Sequence, residues 1–307
     1  MQDRARIPLT QSSLRTLGSC EEKYRLRYIE GLRSTEERPA LTIGSAFHAG
    51  IEAQDAQAAE DSIRAARGAP WVTDEEDRLT RDVAILRAMV DGALSLWTHW
   101  PEQREVGFDL PLRNPATGAP STRHVLSGVF DGLWSGADER PRLLEMKTTG
   151  RLDADYLRRL ALDFQVSTYC HAATAILGRP VRDVVYRVVR KPSIRQRKTE
   201  SADEYGERVA ADYLERPEFY FAEELVTRSE EQLERWWHEA WEIHRRVLRL
   251  EAGEMSVRNT QHCLDFGRCD YFDLCRGVTT AEAFRVLDDV NPELNSDALK
   301  ENENATQ

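Results

Sequence analysis

The chain has 307 residues, enough to bury a substantial core as one large α/β domain, and with 31% charged residues and ordinary aromatic content it reads as globular rather than disordered. A net charge of −11 excludes a protein that coats nucleic acid through bulk electrostatics, so any DNA site must be local. No stretch approaches the roughly eighteen uncharged apolar residues of a membrane span, and Met1-Gln2-Asp3-Arg4-Ala5-Arg6 lacks the apolar segment of a signal peptide, so the expectation is a soluble cytoplasmic protein with no membrane partner. In that setting Asn304-Ala305-Thr306 is no glycosylation signal, and the five cysteines are thiols or metal ligands rather than disulfides.

In chain order, Thr10 to Ile29 reads as a helix capped by Ser12 or Ser13, with Leu14, Leu17, Tyr24 and Tyr28 as its apolar stripe and Cys20 along it. Leu41 to His48 opens an alanine-rich helix on which His48 and Glu52 share a face, broken at Gly68 to Pro70. Thr73 with Glu76 forms a capping box for a helix carrying Leu79, Val83, Leu86, Val90 and Trp97 to Trp100. Val106, Phe108, Leu110 and Leu112 alternate as a strand, and Val125 to Trp134 and Arg142 to Thr149 form a hairpin about a turn at Gly136 to Pro141. Tyr156 to Leu177 reads as a helix ending at Gly178, Asp183 to Arg190 as a valine-rich strand, and Phe219 to Val226 as a further strand. Ser229 with Gln232 launches a long helix whose Trp236, Trp237 and Trp241 are expected in the core rather than as a base-stacking platform. The division expected is one domain over 1–287, with a helical insertion at about 52–100 and a disordered acidic tail over 288–307.

The chemistry concentrates in the hairpin. Because strand side chains alternate, Glu145 and Lys147 point one way while Met146 points into the core, and the turn brings Asp131 beside Glu145. Two carboxylates at close range repel each other and favour a hard divalent cation between them. Lysine is scarce, 5 residues against 37 arginines, which makes Lys147 conspicuous. The run Arg179 to Lys198 supplies a local basic surface through Arg187, Arg190, Lys191, Arg195, Arg197 and Lys198, although composition alone would also describe a solvated strand and loop. Cys263, Cys269 and Cys275 follow a C-x5-C-x5-C spacing, while Cys170 has no such pattern and reads as core.

Several short segments, in this order, resemble the RecB-like branch of the PD-(D/E)XK nuclease superfamily, including phage exonucleases and CRISPR-associated RecB-like nucleases. They are Ser13-Leu14 with Cys20 and Tyr24 to Tyr28, Gly44-x-x-x-His48, Gly128-Val129-Phe130-Asp131-Gly132, Glu145-Met146-Lys147-Thr148-Thr149, Gln165-x-x-x-Tyr169 and the late cysteines. The resemblance implies a restriction-endonuclease-like α/β core, a mixed central sheet flanked by helices, with helical additions. It implies that His48, Asp131, Glu145 and the Met146 carbonyl hold Mg²⁺ or Mn²⁺, that Lys147 orients the attacking water, and that Gln165 and Tyr169 lie near the active site. It implies a [4Fe–4S] cluster on Cys20, Cys263, Cys269 and Cys275, a spacing unlike the commoner C-x2-C-x5-C form; a zinc site, with His262 and Asp265 as substitute ligands, and free thiols are the alternatives.

The expected activity is that of a metal-dependent DNA exonuclease, acting on single strands or duplex ends in recombination, repair or phage DNA processing. A CRISPR spacer-acquisition nuclease and a non-catalytic DNA-binding subunit of a larger complex are the alternatives. No G-x-x-x-x-G-K-[ST] loop is present, so unwinding would require a separate helicase or recombination protein. In isolation His48 reads as a structural histidine, Glu145 with Lys147 as a surface ion pair, and Glu52 as a helix-surface acid; the joint pattern is what points to a nuclease.

Overall fold

The computed structural model describes residues 6–35, 39–67, 73–136, 140–265, 267–291 and 294, without side chains at 39–41 and 73–74. The expected break at Gly68 to Pro70, the Thr73 cap, the centre of the Gly136 to Pro141 turn and nearly all of the tail fall outside the described residues.

The N-terminal third carries β1 (Ile7–Leu9), α1 (Gln11–Ser19), α2 (Glu21–Tyr24), a π-helical turn (Arg25–Ile29), β2 (Leu32–Arg33), and the helices α3 (Pro39–Ala53), α4 (Ala56–Arg67) and α5 (Thr73–Leu96). The centre carries β3 (Gln103–Leu110), β4 (His124–Trp134), β5 (Arg142–Thr149), α6 (Ala154–Arg159), α7 (Phe164–Leu177) and β6 (Asp183–Arg190). The remainder is α8 (Ala202–Glu215), α9 (Pro217–Tyr220), β7 (Phe221–Thr227), α10 (Glu230–Glu251), α11 (Phe272–Cys275) and β8 (Arg285–Val286).

Six strands form one mixed sheet in the order β1-β4-β5-β6-β7, with β3 also paired to β4, while β2 and β8 make a separate antiparallel pair. β6 lies between a parallel β5 and an antiparallel β7, and every residue of it except Arg190 is buried, which is why its sequence is a valine run rather than an alternation. On one face Leu143, Val184 and Val188 join Leu14, Val166 and Trp236 in a core roofed by α1, α7 and α10. On the other, Leu144, Met146, Val185 and Val189 join Phe47, Ile63, Leu86 and Val209 under α3, α4, α5 and α8. Trp236 is buried and Trp237 and Trp241 pack against the first core, as their helical spacing implies.

Two expected helices are broken. α1 is capped by Thr10, whose Oγ1 accepts from the Ser13 amide at 3.2 Å, rather than by Ser12 or Ser13, and it stops at Cys20, whose backbone is extended. The helix expected over Tyr156 to Leu177 divides into α6, a 3₁₀ turn at Leu160–Leu162 and α7, because the Asp163 carboxylate accepts from the amides of Gln165 and Val166 and starts a new helix. α5 ends at Leu96 rather than reaching Trp100, since Pro101 disfavours helical backbone in the residue before it. Pro217 begins α9, which delays the next strand to Phe221.

The strand edges around β4 create an opening. β1 pairs with His124 to Leu126 and β5 pairs with Gly132 to Trp134, so β4 is forked between them. Its glycines serve close packing: a Cβ on Gly128 would meet the Phe108 ring at 2.7 Å, and one on Gly132 would meet Pro101 at 2.2 Å.

Candidate active site

The fork is where the functional side chains gather. Once β5 leaves the β4 ladder, the Asp131 carboxylate accepts the Met146 amide hydrogen, so a side chain replaces a main-chain partner and Asp131 is fixed at the end of the pairing. Met146 is fully buried in the second core, which turns Glu145 and Lys147 to the opposite face as strand alternation requires. The Lys147 ammonium pairs with the Glu145 carboxylate. α7 then explains its i, i+4 pair: the Gln165 amide donates to Glu145 Oε1 and to the Tyr169 hydroxyl, both at 2.8 Å, and that hydroxyl donates to the Val129 carbonyl at 2.9 Å. Tyr169 thus fills a backbone acceptor on β4 and, through Gln165, orients Glu145.

His48 comes from the far side of the fork. Its neighbour Phe47 is fully buried, which anchors α3 and points the imidazole at Asp131, with His48 Nδ1 3.5 Å from Asp131 Oδ1. Glu105 completes the group, and sequence reasoning missed it. Ligand atoms of His48, Glu105 and Asp131 all lie within 4.8 Å of one another, a spacing suited to a single cation. Glu105 sits at φ 47°, a left-handed conformation that disfavours non-glycine residues by about 1–2 kcal/mol. The flanking register runs through without a slip, Arg104 opposite Gly132 and Val106 opposite Phe130, so this twist re-aims one side chain without moving the strand. Glu145, expected among the metal ligands, lies beside this group and is committed to Lys147 and Gln165. Glu52 is exposed on the same cleft and raises the Glu105 proton affinity through its charge.

Electrostatics describe a centre short of positive charge. Burial first, then the neighbouring Asp131 charge, pushes the Glu145 carboxyl up to about 8, with Lys147 opposing, and burial together with Asp131 pushes Glu105 up to about 7. Burial would discharge His48, but Asp131 overrides it and raises the imidazole, while His48 and Lys147 hold Asp131 below its ordinary value against its own burial. Burial likewise opposes the Lys147 charge, and Glu145 and Asp131 outweigh it, so the ammonium is retained. An imidazole and two carboxylates, with a third acid adjacent, form a hard donor set that fits Mg²⁺ or Mn²⁺, the imidazole shifting preference toward Mn²⁺.

These residues floor a cleft of about 790 Å³. Lys191 lines it and donates its amide to Thr149. Arg195, Arg197 and Lys198 are exposed on the loop that follows. Arg187, expected on the same basic surface, is not there: it is 4% exposed, bonded to Glu223 and the His99 carbonyl, with its guanidinium over Trp97 and Trp100. A central strand buried on both faces leaves its middle side chains no route to solvent. Arg190 is half-buried, its guanidinium 4.0 Å from the centre of the Phe219 ring.

The late cysteines return to Cys20. The Asn259 amide lies 3.4 Å from Cys20 Sγ, and Cys269 donates its amide to the Cys263 carbonyl. Burial pushes the Cys275 thiol up to about 11, helped by the charges of Glu22, Cys269 and Cys20, and Cys263 is raised by burial and by Cys269 and Cys20. All four thiols are free and partly exposed. Among the described residues no three of their sulfurs come within 4.8 Å of one another, whereas a tetrahedral zinc would draw them to about 3.8 Å. His262 and Asp265 pair with each other at 3.0 Å. Cys170 is fully buried in the first core, as expected.

Comparison with known proteins agrees with this geometry. A crystal structure from Eubacterium rectale, of a protein named "Putative exonuclease", superposes with a TM-score of 0.52 at 13% identity, covering 94% of this chain and 92% of that one, which establishes the fold as restriction-endonuclease-like. Among curated proteins none matches. Among the described residues no helix is long and apolar enough to cross a membrane. The model of the PD-(D/E)XK nuclease superfamily matches residues 8–276, which includes every residue of the fork, and the chain belongs to that superfamily.

Proposed function

We propose that this nuclease is a DNA exonuclease that uses a divalent metal ion to hydrolyse phosphodiester bonds in recombination, repair or phage DNA processing. The observation that carries the reading is the convergence of His48, Glu105 and Asp131 beside the Glu145–Lys147 pair on the floor of one cleft. His48, Glu105 and Asp131 would hold Mg²⁺ or Mn²⁺, with Glu145 and the Met146 carbonyl available to complete the shell. When bound, such an ion polarises the scissile phosphate and lowers the pKa of water.

The remaining work falls to the chain itself. Lys147 holds a fixed positive charge where the phosphoryl oxygens gain negative charge during attack, and its ammonium can orient the attacking water. Glu145 keeps Lys147 in place and is in turn aimed by Gln165 and Tyr169, so those two act by positioning. The exposed Arg195, Arg197 and Lys198, with Arg190 and Lys191 nearer the cleft, supply local attraction for the phosphate backbone that the overall charge of −11 does not. Attack on phosphorus with departure of the 3′ oxygen leaves a 5′ phosphate. Cys20, Cys263, Cys269 and Cys275 would carry a [4Fe–4S] cluster, whose size separates its thiolates more widely than a single zinc does.

End-labelled single- and double-stranded DNA, incubated with Mn²⁺ and wild type, Glu145→Ala or Lys147→Ala, tests the activity. Shortening of labelled strands by the wild type alone supports it, and equal cleavage by all three refutes it. Anaerobic purification followed by visible spectroscopy and iron and zinc analysis tests the cluster independently, since a colourless protein containing zinc would refute that part alone.

A further inference from the structure

The central sheet ends differently on its two sides. Apart from the three-residue β1, its outer strands are β3 and β7. β3 is twisted at the left-handed Glu105, and such an irregularity blunts an edge against further pairing. β7 runs from Phe221 to Thr227 with no positive φ and is paired to β6 alone. The Arg228 amide donates to the Arg182 carbonyl, which fixes the phase of this antiparallel ladder: Ala222, Glu224 and Val226 exchange main-chain bonds with β6, while Glu223, Leu225 and Thr227 turn theirs outward. The Lys191 amide donates to Thr149 on β5, in the same phase, since the odd-numbered residues of β6 then face β5. Among the described residues no other group bonds to the main chain of Glu223, Leu225 or Thr227.

Those three side chains share one face of the strand. Glu223 is held there by Arg187 at 2.7 Å, whereas Leu225 is 60% exposed. On the other face, Arg228 ties the 3₁₀ turn at Leu160–Leu162 to the end of β7 by donating to the carbonyls of Leu160 and Asp163, and that turn leaves Leu162 87% exposed. Open main-chain donors and acceptors beside apolar side chains are a template for another strand. The strand that fits is β7 of a second copy. Antiparallel pairing about a two-fold axis at Leu225 sets Leu225 against its own copy and Glu223 against Thr227, which uses all three open residues, and places Glu224 opposite Val226. Moving the axis to Glu224 would set that carboxylate against itself, and like charges directly opposite destabilise a pair. Moving it to Val226 would carry Glu223 beyond the strand and against Ser229, which caps α10.

We propose that two copies of this chain associate through β7, joining their sheets into one continuous sheet with Leu225 at the two-fold axis. β5 and β6 separate β7 from β4, so the fork stays open in each copy and the inference stands apart from the nuclease reading. The full-length protein is followed by sedimentation velocity from about 1 to 100 µM, a range in which dimers of moderate affinity populate. The wild type sediments as a dimer. Leu225→Pro removes an outward amide while leaving the β6 ladder whole, and Leu225→Glu sets two carboxylates against each other at the axis. Each raises the dissociation constant by about tenfold or more, while Leu225→Ile remains dimeric.

Far-UV circular dichroism checks that each variant is folded, and Leu225→Glu, a change at an exposed position, decides the matter if the proline disturbs the strand. A wild type that stays monomeric throughout, or a dimer untouched by both substitutions, overturns the proposal. Leu225→Cys tests the register. Residues directly opposite in a hydrogen-bonded pair have Cα atoms about 5.5 Å apart, within reach of a disulfide. Mild oxidation followed by peptide mapping should find position 225 joined to its own copy, and a dimer in which that link never forms lies on another surface and overturns the proposal.

Discussion

The forked edge of β4 and the cysteine lobe are both assembled from residues far apart in the chain, yet they are supported differently. At the fork, Asp131, Glu145 and His48 are each held by a neighbour that the core fixes: Asp131 by the Met146 amide, Glu145 by Gln165, and His48 by the buried Phe47 beside it. The cysteine lobe has a buried core of only Leu26, Leu32 and Tyr271 among the described residues, and its two chain ends meet through a pair of two-residue strands. The fork therefore rests on a packed scaffold, whereas the lobe, with so small a core, would draw its stability from the cluster proposed for its thiols.

The most severe way to probe that contrast is to change neighbours along β5. Lys147→Ala or Glu145→Ala should lower cleavage by about 10³-fold or more with the thermal midpoint retained, because the groups act on transition-state charge rather than on packing. Met146→Ala, one residue away, should instead cost about 2–5 kcal/mol of stability, measured by urea denaturation, since its side chain is fully buried. Similar stability losses in all three variants would erase the distinction between scaffold and chemistry.

In the lobe, Cys275→Ser should bleach visible absorption and lower the thermal midpoint by several degrees, at about 2–4 °C per kcal/mol for a chain of this size. An unchanged midpoint would show that the lobe stands without its thiol ligand.

A third region gives a pH-dependent check. His244 is buried, bonded to Ser121 at 3.1 Å, and burial followed by the adjacent His124 pulls its pKa down to about 4. A histidine depressed in the folded state binds its proton more readily unfolded, so stability is full above pH 6.5 and falls as pH drops from 6.5 toward 4. The expected loss is about 1–3 kcal/mol, and His244→Phe should flatten that slope in denaturation curves at pH 7.5 and 5. The smallest effect belongs to Tyr169→Phe, which removes one hydroxyl between Gln165 and Val129: about 1 kcal/mol of stability and about tenfold in cleavage, read from paired melting and rate measurements.

Much of the fork was legible because it obeys local rules. Period-two alternation put Glu145 and Lys147 opposite Met146, and the one-turn spacing of Gln165 and Tyr169 put them on one helical face. Glu105 was not legible: extending the alternation of Val106, Phe108 and Leu110 backward assigns it only to the polar side of a strand, and no sequence rule gives a glutamate a left-handed backbone. Arg187 was legible and misread, since a valine-rich strand between two cores buries its central arginine along with its valines. The Ser201–Glu204 capping box of α8 was likewise available, S-x-x-E ahead of an apolar stripe that ends in Tyr205, Val209 and Tyr213.

Binding of Mn²⁺ by the protein alone, followed by calorimetry and by competition with Mg²⁺, tests whether the fork is a metal centre without reference to cleavage. Saturable binding in the wild type, weakened about tenfold or more by Glu105→Gln or His48→Ala and abolished by Asp131→Asn, is the predicted result. Equal affinity in all four proteins, or no saturable binding in the wild type, would contradict it.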